Sequence, residues 1–284
     1  MTPDPTLADI TAEPGVPKPD PLLVLDGVRR DFGGVRAVDV DHLEVQRGVI
    51  TGLIGPNGAG KTTLFNLLTG FDRGGTGRWT FDGRDVAGMP AHRLARRGMV
   101  RTFQLTRVLS RLTVLENMKL AAVGQRGERL LPALLRPVWG AQEADIERRA
   151  DDLLDRFLLA AKRDDYAGYL SGGQRRLLEM ARALMVDPTL VMLDEPMAGV
   201  NPALRQDLLG RITDLRDSGR TVLFVEHDMD VVMSISDWVV CMAQGRVIAE
   251  GPPARVAGNP AVIDAYLGSQ HGADDEQGSE ETTS

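Results

Sequence analysis

A glycine-rich loop set between an apolar strand and a helix constrains the fold of this chain more than any other feature. The loop follows the run Ile-Thr-Gly-Leu-Ile at 50–54 and leads into a helical stretch that starts at Lys61. Glycines let successive backbone N–H groups point at one anion, and the helix N-terminus adds the positive end of its dipole. In this context the pattern GxxxxGK[ST] predicts a phosphate-binding loop on an α/β core.

Two side chains of the loop have predicted roles. The ammonium of Lys61 is expected to reach β- and γ-phosphate oxygens, and the hydroxyl of Thr62 is expected to bind Mg²⁺. For the motif alone, the simpler alternative is a glycine-rich turn with a solvated lysine. The residues predicted to bind the nucleotide here are Gly55, Pro56, Asn57, Gly58, Ala59, Gly60, Lys61, Thr62 and Thr63.

A second motif lies far along the chain, where the apolar run at 190–193 is followed by Asp194 and Glu195. Four successive apolar residues suit a strand that is buried on both faces. Asp194 is expected to hold Mg²⁺ through its water shell, and Glu195 to orient or deprotonate an attacking water. Alone, this could be an ordinary strand end with solvated acids; together with the loop it predicts a nucleotide hydrolase.

The rest of the chain alternates short β-branched runs with longer helical patterns, which predicts a mostly parallel sheet covered by helices. The first strands are separated by turns, which favours an additional antiparallel β layer. The predicted strands are Leu22–Val28, Val38–Val45, Ile50–Ile54, Gly77–Phe81, Val100–Phe103, Leu190–Asp194, Val222–Val225, Trp238–Met242 and Val247–Glu250.

The pattern between residues 113 and 187 is almost wholly helical and predicts an α-helical subdomain inserted into the α/β core. Between residues 141 and 160 the apolar residues fall on one helical stripe. They are Ile146, Ala150, Leu153, Leu154, Phe157 and Leu158.

Composition suggests the domain limits. We expect a disordered tail at 1–21, a core formed by 22–104 and 189–268, a helical subdomain at about 105–188, and a disordered acidic tail at 269–284. The two tails carry net charges of −3 and −5 out of a total of −7. The near-neutral body has no dense Lys/Arg stripe, so nucleic acid is not expected as a partner.

The chain has one cysteine, Cys241, so no intramolecular disulfide can form and a reducing compartment is expected. No apolar run approaches the roughly 20 residues that a membrane-spanning helix needs. The N-terminal residues lack the basic start and apolar stretch of a secretory signal. We therefore expect a cytoplasmic protein that meets a membrane only through a partner.

The motif Leu170-Ser171-Gly172-Gly173-Gln174 discriminates among phosphate-loop hydrolases. With it, the chain resembles the ATP-binding cassette (ABC) family over nearly all of residues 22–268. In that family, this stretch contacts the γ-phosphate of ATP held by the phosphate loop of a second subunit, so hydrolysis needs a head-to-tail dimer. Ser171 and the amides of the two glycines at a helix start would form another anion nest. A Ser/Gly turn that merely caps a helix is the alternative.

The resemblance assigns further roles and implies ATP and Mg²⁺ as cofactors. Phe32 matches the aromatic residue that stacks on adenine. Gln104 matches the glutamine that meets Mg²⁺ and water, and His227 matches the histidine that contacts the γ-phosphate. The implied catalytic residues are Glu195, His227 and Gln104, and the implied metal ligands are Thr62, Gln104 and Asp194. Asn201 departs from the pattern, because many relatives carry Asp there.

Within the family, the chain is most similar to ATP-binding subunits of branched-chain amino acid importers. The similar stretches are 98–105, 112–117, 226–233 and 259–268, together with an insertion around 124–140. Urea and short-chain amide importers share much of this pattern, and the lipopolysaccharide-export ATPase shares part of it. The cargo therefore remains open between these transporters.

The resemblance implies two cassettes, identical or paralogous, beneath two membrane permease subunits at the cytoplasmic face of the inner membrane. An extracytoplasmic binding protein would deliver the cargo. We predict that the permease docks in a groove next to Gln104, lined by Leu105, Val108, Leu109 and Leu112.

Two other classes fit less well. A soluble cassette protein acting on ribosomes would carry two cassettes, and one acting on DNA would carry a long coiled coil. A regulatory subunit that binds ATP without hydrolysing it would not be expected to retain Glu195 and His227.

Overall fold

The computed structural model describes residue 7 and residues 10–102, 108–122 and 136–267. Gln104, Leu105, most of the predicted insertion and the acidic tail at 269–284 lie outside the described residues. The chain forms two compact units, which are Met1–Leu94 with Leu215–Ser284, and Ala95–Asp214. We refer to them as the first and the second unit.

The elements of the described residues have the following bounds. The strands are β1 (Pro21–Phe32), β2 (Val35–Gln46), β3 (Ile50–Ile54), β4 (Thr76–Phe81), β5 (Arg84–Asp85), β6 (Met99–Arg101), β7 (Leu190–Asp194), β8 (Thr221–Val225), β9 (Trp238–Ala243) and β10 (Arg246–Gly251). The helices are α1 (Lys61–Leu68), α2 (Ala91–Arg96), α3 (Val114–Ala121), α4 (Arg136–Arg156), α5 (Gly172–Leu184), α6 (Pro202–Asp217), α7 (Met229–Ile235), α8 (Pro253–Ala257) and α9 (260–267). Short 3₁₀ turns lie at Ala160–Lys162 and Ala167–Tyr169.

The first unit contains the predicted antiparallel layer, in the order β2-β1-β4-β5. Leu25 of β1 faces Leu43 of β2 on one side and Trp79 of β4 on the other, and all three side chains are buried. The apolar residues of β1 do not alternate strictly, since Leu22 and Leu23 are adjacent and both fully buried, and the strand packs them into a core. The two-residue strand β5 was not predicted, because so short a run carries no periodicity.

The parallel strands of the first unit carry its central core. β3 pairs in parallel with β8 and β9, and β10 adds an antiparallel edge beside β9. All five residues of β3 and all five of β8 are buried, as expected for strands covered on both faces. The predicted α/β class, with parallel strands, flanking helices and an antiparallel layer, is confirmed.

The second unit combines the parallel pair β6 and β7 with α3, α4 and α5. The predicted apolar stripe is largely buried, including Ala150, Leu154 and Phe157. Leu158 differs, because α4 ends at Arg156 and the backbone of Leu158 turns to a φ of 59°, which leaves its side chain exposed. The second unit, Ala95–Asp214, includes β6 and β7 as well as the helices, so its bounds differ from those predicted for the helical subdomain, about 105–188. The predicted limits of the core and of the helical subdomain stay a prediction.

Residues 10–20 differ from the expectation of a disordered tail at 1–21. The buried ammonium of Lys18 lies 3.1 Å from a carboxylate oxygen of Glu250 in β10 and 4.3 Å from the ring centroid of Trp238. The indole N–H of Trp238 donates to the same carboxylate at 2.9 Å. Burial lowers the pKa of Lys18. The N–H groups of Gly15 and Val16 donate to the same carboxylate at 2.6 and 3.1 Å. Composition missed these contacts because it does not show which distant residues come within reach of the segment.

Within the described part of the chain, no helix has both the length and the apolar character needed to cross a membrane.

Candidate functional site

The phosphate loop lies in the first unit, between the end of β3 and the start of α1, where the sequence predicts it. The Lys61 side chain folds back over the loop, and its ammonium donates to the carbonyl oxygens of Gly55 at 2.6 Å and Pro56 at 2.9 Å. Lys61 is thereby buried with its charge compensated by backbone dipoles. A phosphate would replace these carbonyls with stronger, charge-assisted partners.

Gly55 begins the loop in a conformation that no other residue could adopt here. Its φ is 148°, and a Cβ atom built on it would lie 2.1 Å from the carbonyl oxygen of Met242 in β9. Both the backbone angle and the close approach therefore require glycine. The loop therefore packs closely against β9 at Gly55, and the N–H groups of the remaining loop residues come after this point in the chain.

The predicted adenine-stacking residue, Phe32, is the last residue of β1 and is 47% exposed. The guanidinium of Arg30 lies 4.1 Å from its ring centroid, which is a cation–π contact. Arg30 is held in turn by Asp72, whose carboxylate accepts its Nε–H at 2.6 Å. One face of the aromatic ring is therefore backed by a fixed cation, an arrangement that could present the other face to a flat base.

His227 follows the end of β8 and is exposed. The next residue, Asp228, caps α7, because its carboxylate accepts the N–H groups of Asp230 and Val231. This cap fixes the backbone that carries His227. The histidine thus lies on a short, ordered connection between a buried strand and a helix.

In the second unit, Asp194 is the last residue of β7 and is 2% exposed. Its carboxylate accepts a hydrogen bond from the guanidinium of Arg101, at the end of β6, at 2.5 Å. The arginine was quoted in a motif but given no role by the sequence. A carboxylate oxygen is a ligand type that Mg²⁺ prefers, so the donor chemistry of Asp194 fits the predicted metal site. The Arg101 guanidinium is a competing cation on that oxygen, and Mg²⁺ would have to displace it.

Glu195 follows directly and has a φ of 47°. Left-handed backbone is uncommon for a residue with a side chain, and it is concentrated at functional sites. The residue pattern around Glu195 does not predict this turn.

The Leu-Ser-Gly-Gly-Gln motif forms the start of α5. Ser171 is the N-cap: its hydroxyl accepts the N–H of Gln174 at 3.2 Å, and the Gln174 side chain accepts the N–H of Ser171 at 2.9 Å. A Cβ on Gly173 would lie 1.9 Å from the Leu204 side chain, whereas one on Gly172 would meet nothing within 4 Å. Local packing therefore explains Gly173 and leaves Gly172 without a structural reason within the described residues.

Asn201, the departure from the family pattern, caps α6. Its side-chain oxygen accepts the N–H of Leu204 at 2.9 Å, and Pro202 begins the helix. Asn and Asp are equally good at this position. The substitution therefore keeps the local fold and removes a charge.

The structure places the predicted residues as two groups. Phe32, the phosphate loop and His227 belong to the first unit, and Asp194, Glu195 and Ser171–Gln174 to the second. Gln104 lies outside the described residues. The roles of all these residues remain predictions. Sequence reasoning assigned no role to Arg30, Arg101 or Tyr266. Arg30 lies two residues before Phe32, Arg101 lies three residues before Gln104, and Tyr266, whose hydroxyl accepts the Gly55 N–H, lies in the C-terminal motif at 259–268.

Comparison with known families identifies two regions. A family model described as ABC transporter matches residues 38–198, and one described as branched-chain amino acid ATP-binding cassette transporter matches residues 246–272.

Curated proteins match along most of the chain. It is 41% identical over 249 residues to the probable branched-chain amino acid transport ATP-binding protein LivG of Archaeoglobus fulgidus, covering 88% of this chain and 96% of that protein. It is 42% identical over 250 residues to the high-affinity branched-chain amino acid transport ATP-binding protein BraF of Pseudomonas aeruginosa. That match covers 87% of this chain and 98% of BraF.

Solved structures with the same fold include a nucleotide-free ATP-binding cassette from an ABC transporter, with a TM-score of 0.75, 36% identity, and coverage of 87% of this chain and 98% of that one. A second structure, the ADP conformation of an ATP-binding cassette of an ABC transporter, has a TM-score of 0.76 and 36% identity. The match covers 87% of this chain and 99% of that one.

Proposed function

Since the chain belongs to the ATP-binding cassette family of transporter ATPases, we propose that it hydrolyses ATP to drive the import of branched-chain amino acids. One observation carries the choice of cargo. Residues 246–272 match the model described as branched-chain amino acid ATP-binding cassette transporter, in addition to the general family match at 38–198. The curated relatives named above share that cargo in their names.

Nucleotide binding is assigned to the first unit. The N–H groups of the phosphate loop and the Lys61 ammonium would hold the phosphates, once Lys61 exchanges two backbone carbonyls for phosphate oxygens. Phe32 would stack on adenine, backed by Arg30. His227, on the capped connection after β8, would contact the γ-phosphate.

The second unit would supply the catalytic base and, with Thr62 of the first unit, the metal ligands. Thr62, Asp194 and Gln104 would hold Mg²⁺, which neutralises phosphate charge when bound. Glu195 would orient the attacking water and accept its proton, and its left-handed turn supports this assignment.

Two copies, or this chain and a paralogue, would enclose each ATP. Ser171 and Gly172 are exposed at the start of α5, so the N–H of Gly172, which the capping box does not use, could reach a phosphate held by the partner. Two permease subunits would anchor the pair at the cytoplasmic face of the inner membrane, and an extracytoplasmic protein would deliver the amino acid.

Reconstitution of the complete complex tests the cargo. We expect the chain, its permeases and the extracytoplasmic binding protein in proteoliposomes to accumulate leucine, isoleucine and valine at the expense of ATP. Uptake of radiolabelled leucine and release of phosphate are measured together. Accumulation of urea or short-chain amides instead, or ATP-driven lipopolysaccharide release, would assign the chain to one of the other transporters.

The predicted permease-docking region is partly described by the structure. Leu109 is 46% exposed, and its backbone is held at both polar groups by Asn117, which is fully buried in α3. The Leu109 N–H donates to Asn117 at 2.9 Å, and the Asn117 amide donates back to the Leu109 carbonyl at 3.0 Å. Val108 and Leu112 beside it are half-buried. A rigid backbone that presents an exposed apolar side chain suits a docking contact.

Leu109→Glu should uncouple transport from ATP binding. A carboxylate placed in an apolar contact costs at least about 2 kcal/mol, which weakens permease docking by more than tenfold. We expect leucine uptake by the reconstituted complex to fall by that factor while the ATP affinity of the chain is unchanged. The matched control is Leu158→Glu, because Leu158 is also an exposed leucine of the second unit. Equal loss of uptake and of ATP binding would contradict the docking assignment.

A further inference from the structure

The C-terminal helix α9 reaches the phosphate loop through one side chain. The N–H of Gly55 donates to the hydroxyl oxygen of Tyr266 at 2.9 Å, across 211 residues of sequence. Val262, one helical turn before Tyr266, is buried, so both residues lie on the face of α9 that packs on the protein. The contact is thus made by an anchored helix rather than by a loose tail.

The hydroxyl lies in an environment that keeps it neutral. Burial raises the pKa of Tyr266 to about 12, and burial also raises the pKa of the nearby Cys241 thiol to about 12. Tyr266 therefore presents an uncharged phenol to the loop throughout the physiological pH range. A cavity of about 680 Å³ next to this contact is lined by residues of the phosphate loop, of the β9–β10 turn and of α9, including Asn57, Gly58, Gln244 and Asp264.

Gly55 is held on both sides. Its N–H is bound by Tyr266, and its carbonyl accepts from Lys61 at 2.6 Å. Where a bound phosphate draws the Lys61 ammonium away from that carbonyl, the bond from Tyr266 still holds Gly55. Glycine has the largest backbone freedom of any residue, and freezing it on binding costs affinity.

We propose that Tyr266 is a positioning residue for the phosphate loop, which it holds in its binding conformation by accepting the Gly55 N–H. The C-terminal helix thereby becomes part of the nucleotide site without touching the nucleotide. This inference rests on the proposed nucleotide-binding function. It gives the C-terminal region a physical role in the ATP cycle.

Tyr266→Phe tests the proposal, because it removes only the hydroxyl. We expect the dissociation constants for ATP, ADP and tripolyphosphate to rise alike, by about 2- to 12-fold, as for the loss of one hydrogen bond. The three ligands are titrated by calorimetry into the full chain. For the assembled transporter, KM for ATP should rise while kcat at saturating ATP is unchanged. Exchange of the Gly55 amide hydrogen should also become faster.

Two further variants separate the hydroxyl from ring packing and from general tyrosine effects. Tyr266→Leu should weaken binding about as much as Tyr266→Phe, and Tyr166→Phe, at an exposed tyrosine of the second unit, should bind like the wild type. A Tyr266→Phe protein with wild-type affinity, whether or not its melting temperature falls, overturns the inference. So does an effect confined to Tyr266→Leu, which would show that only the ring matters. A wild-type chain that binds neither ATP nor ADP overturns the proposed function itself.

Discussion

Replacing Glu195 with Gln is expected to lower ATP turnover by roughly 10²–10⁴-fold, which is the usual contribution of a positioned general base. The amide has the shape of the carboxylate but cannot accept a proton from water. ATP binding should persist, because the phosphate loop and the adenine-stacking residue belong to the other unit and are unchanged. Phosphate release and ATP affinity are measured on the same preparation.

The backbone at Glu195 sharpens this experiment. The φ of Glu195 is 47°, so a substitution with a different backbone preference would alter the turn as well as the chemistry. Gln has the same side-chain shape as Glu and is therefore expected to leave the turn unchanged. The control is Glu143→Gln, which changes the same groups on an exposed side chain paired with Lys119. Wild-type turnover in Glu195→Gln would mean that another residue is the base.

Gly172→Ala is expected to lower ATP turnover by about 100-fold without destabilising the isolated chain. A Cβ at Gly172 meets nothing within 4 Å, and alanine is the better helix former, so the fold should be unaffected or slightly more stable. In the proposed pair of cassettes, the same methyl group lies where the partner's γ-phosphate must approach. Displacement of reacting groups by about 1 Å can cost about 10²-fold in rate.

Gly173→Ala provides the contrast, because its Cβ would lie 1.9 Å from the side chain of Leu204. That variant should lose stability in thermal or urea unfolding, whatever happens to catalysis. Turnover, ATP-dependent dimerisation and unfolding are measured for both variants. Full turnover in Gly172→Ala would show that the start of α5 does not face a phosphate and would count against the two-copy site.

Much of the fold was predictable because its signals are local. The apolar runs at Ile50–Ile54 and Leu190–Asp194 are strands with the predicted bounds, since a strand buried on both faces is continuously apolar. The phosphate loop and the start of α5 occur where the glycines, Lys61 and Ser171 indicate, because loop and cap chemistry depend on neighbours within a few residues. The α/β class followed from these elements together.

Other expectations differed from the structure where the outcome depends on residues far away in the chain or on the backbone angle of one residue. The predicted stripe ran two residues beyond the helix, which ends at Arg156, and Leu158 is exposed because its backbone is left-handed. Composition assigned residues 10–20 to a disordered tail, because it could not show that Glu250 lies within reach of Lys18.

The sequence by itself determined the class of fold, the family and the order of the motifs, because each depends on residues close together in the chain. Only the tertiary structure decided which distant groups meet. It pairs Arg101 with Asp194 across 93 residues, Lys18 with Glu250 across 232, and Gly55 with Tyr266 across 211. Such contacts leave no periodic signal, since their partners are chosen by the packing of whole elements and not by the spacing of residues along the chain.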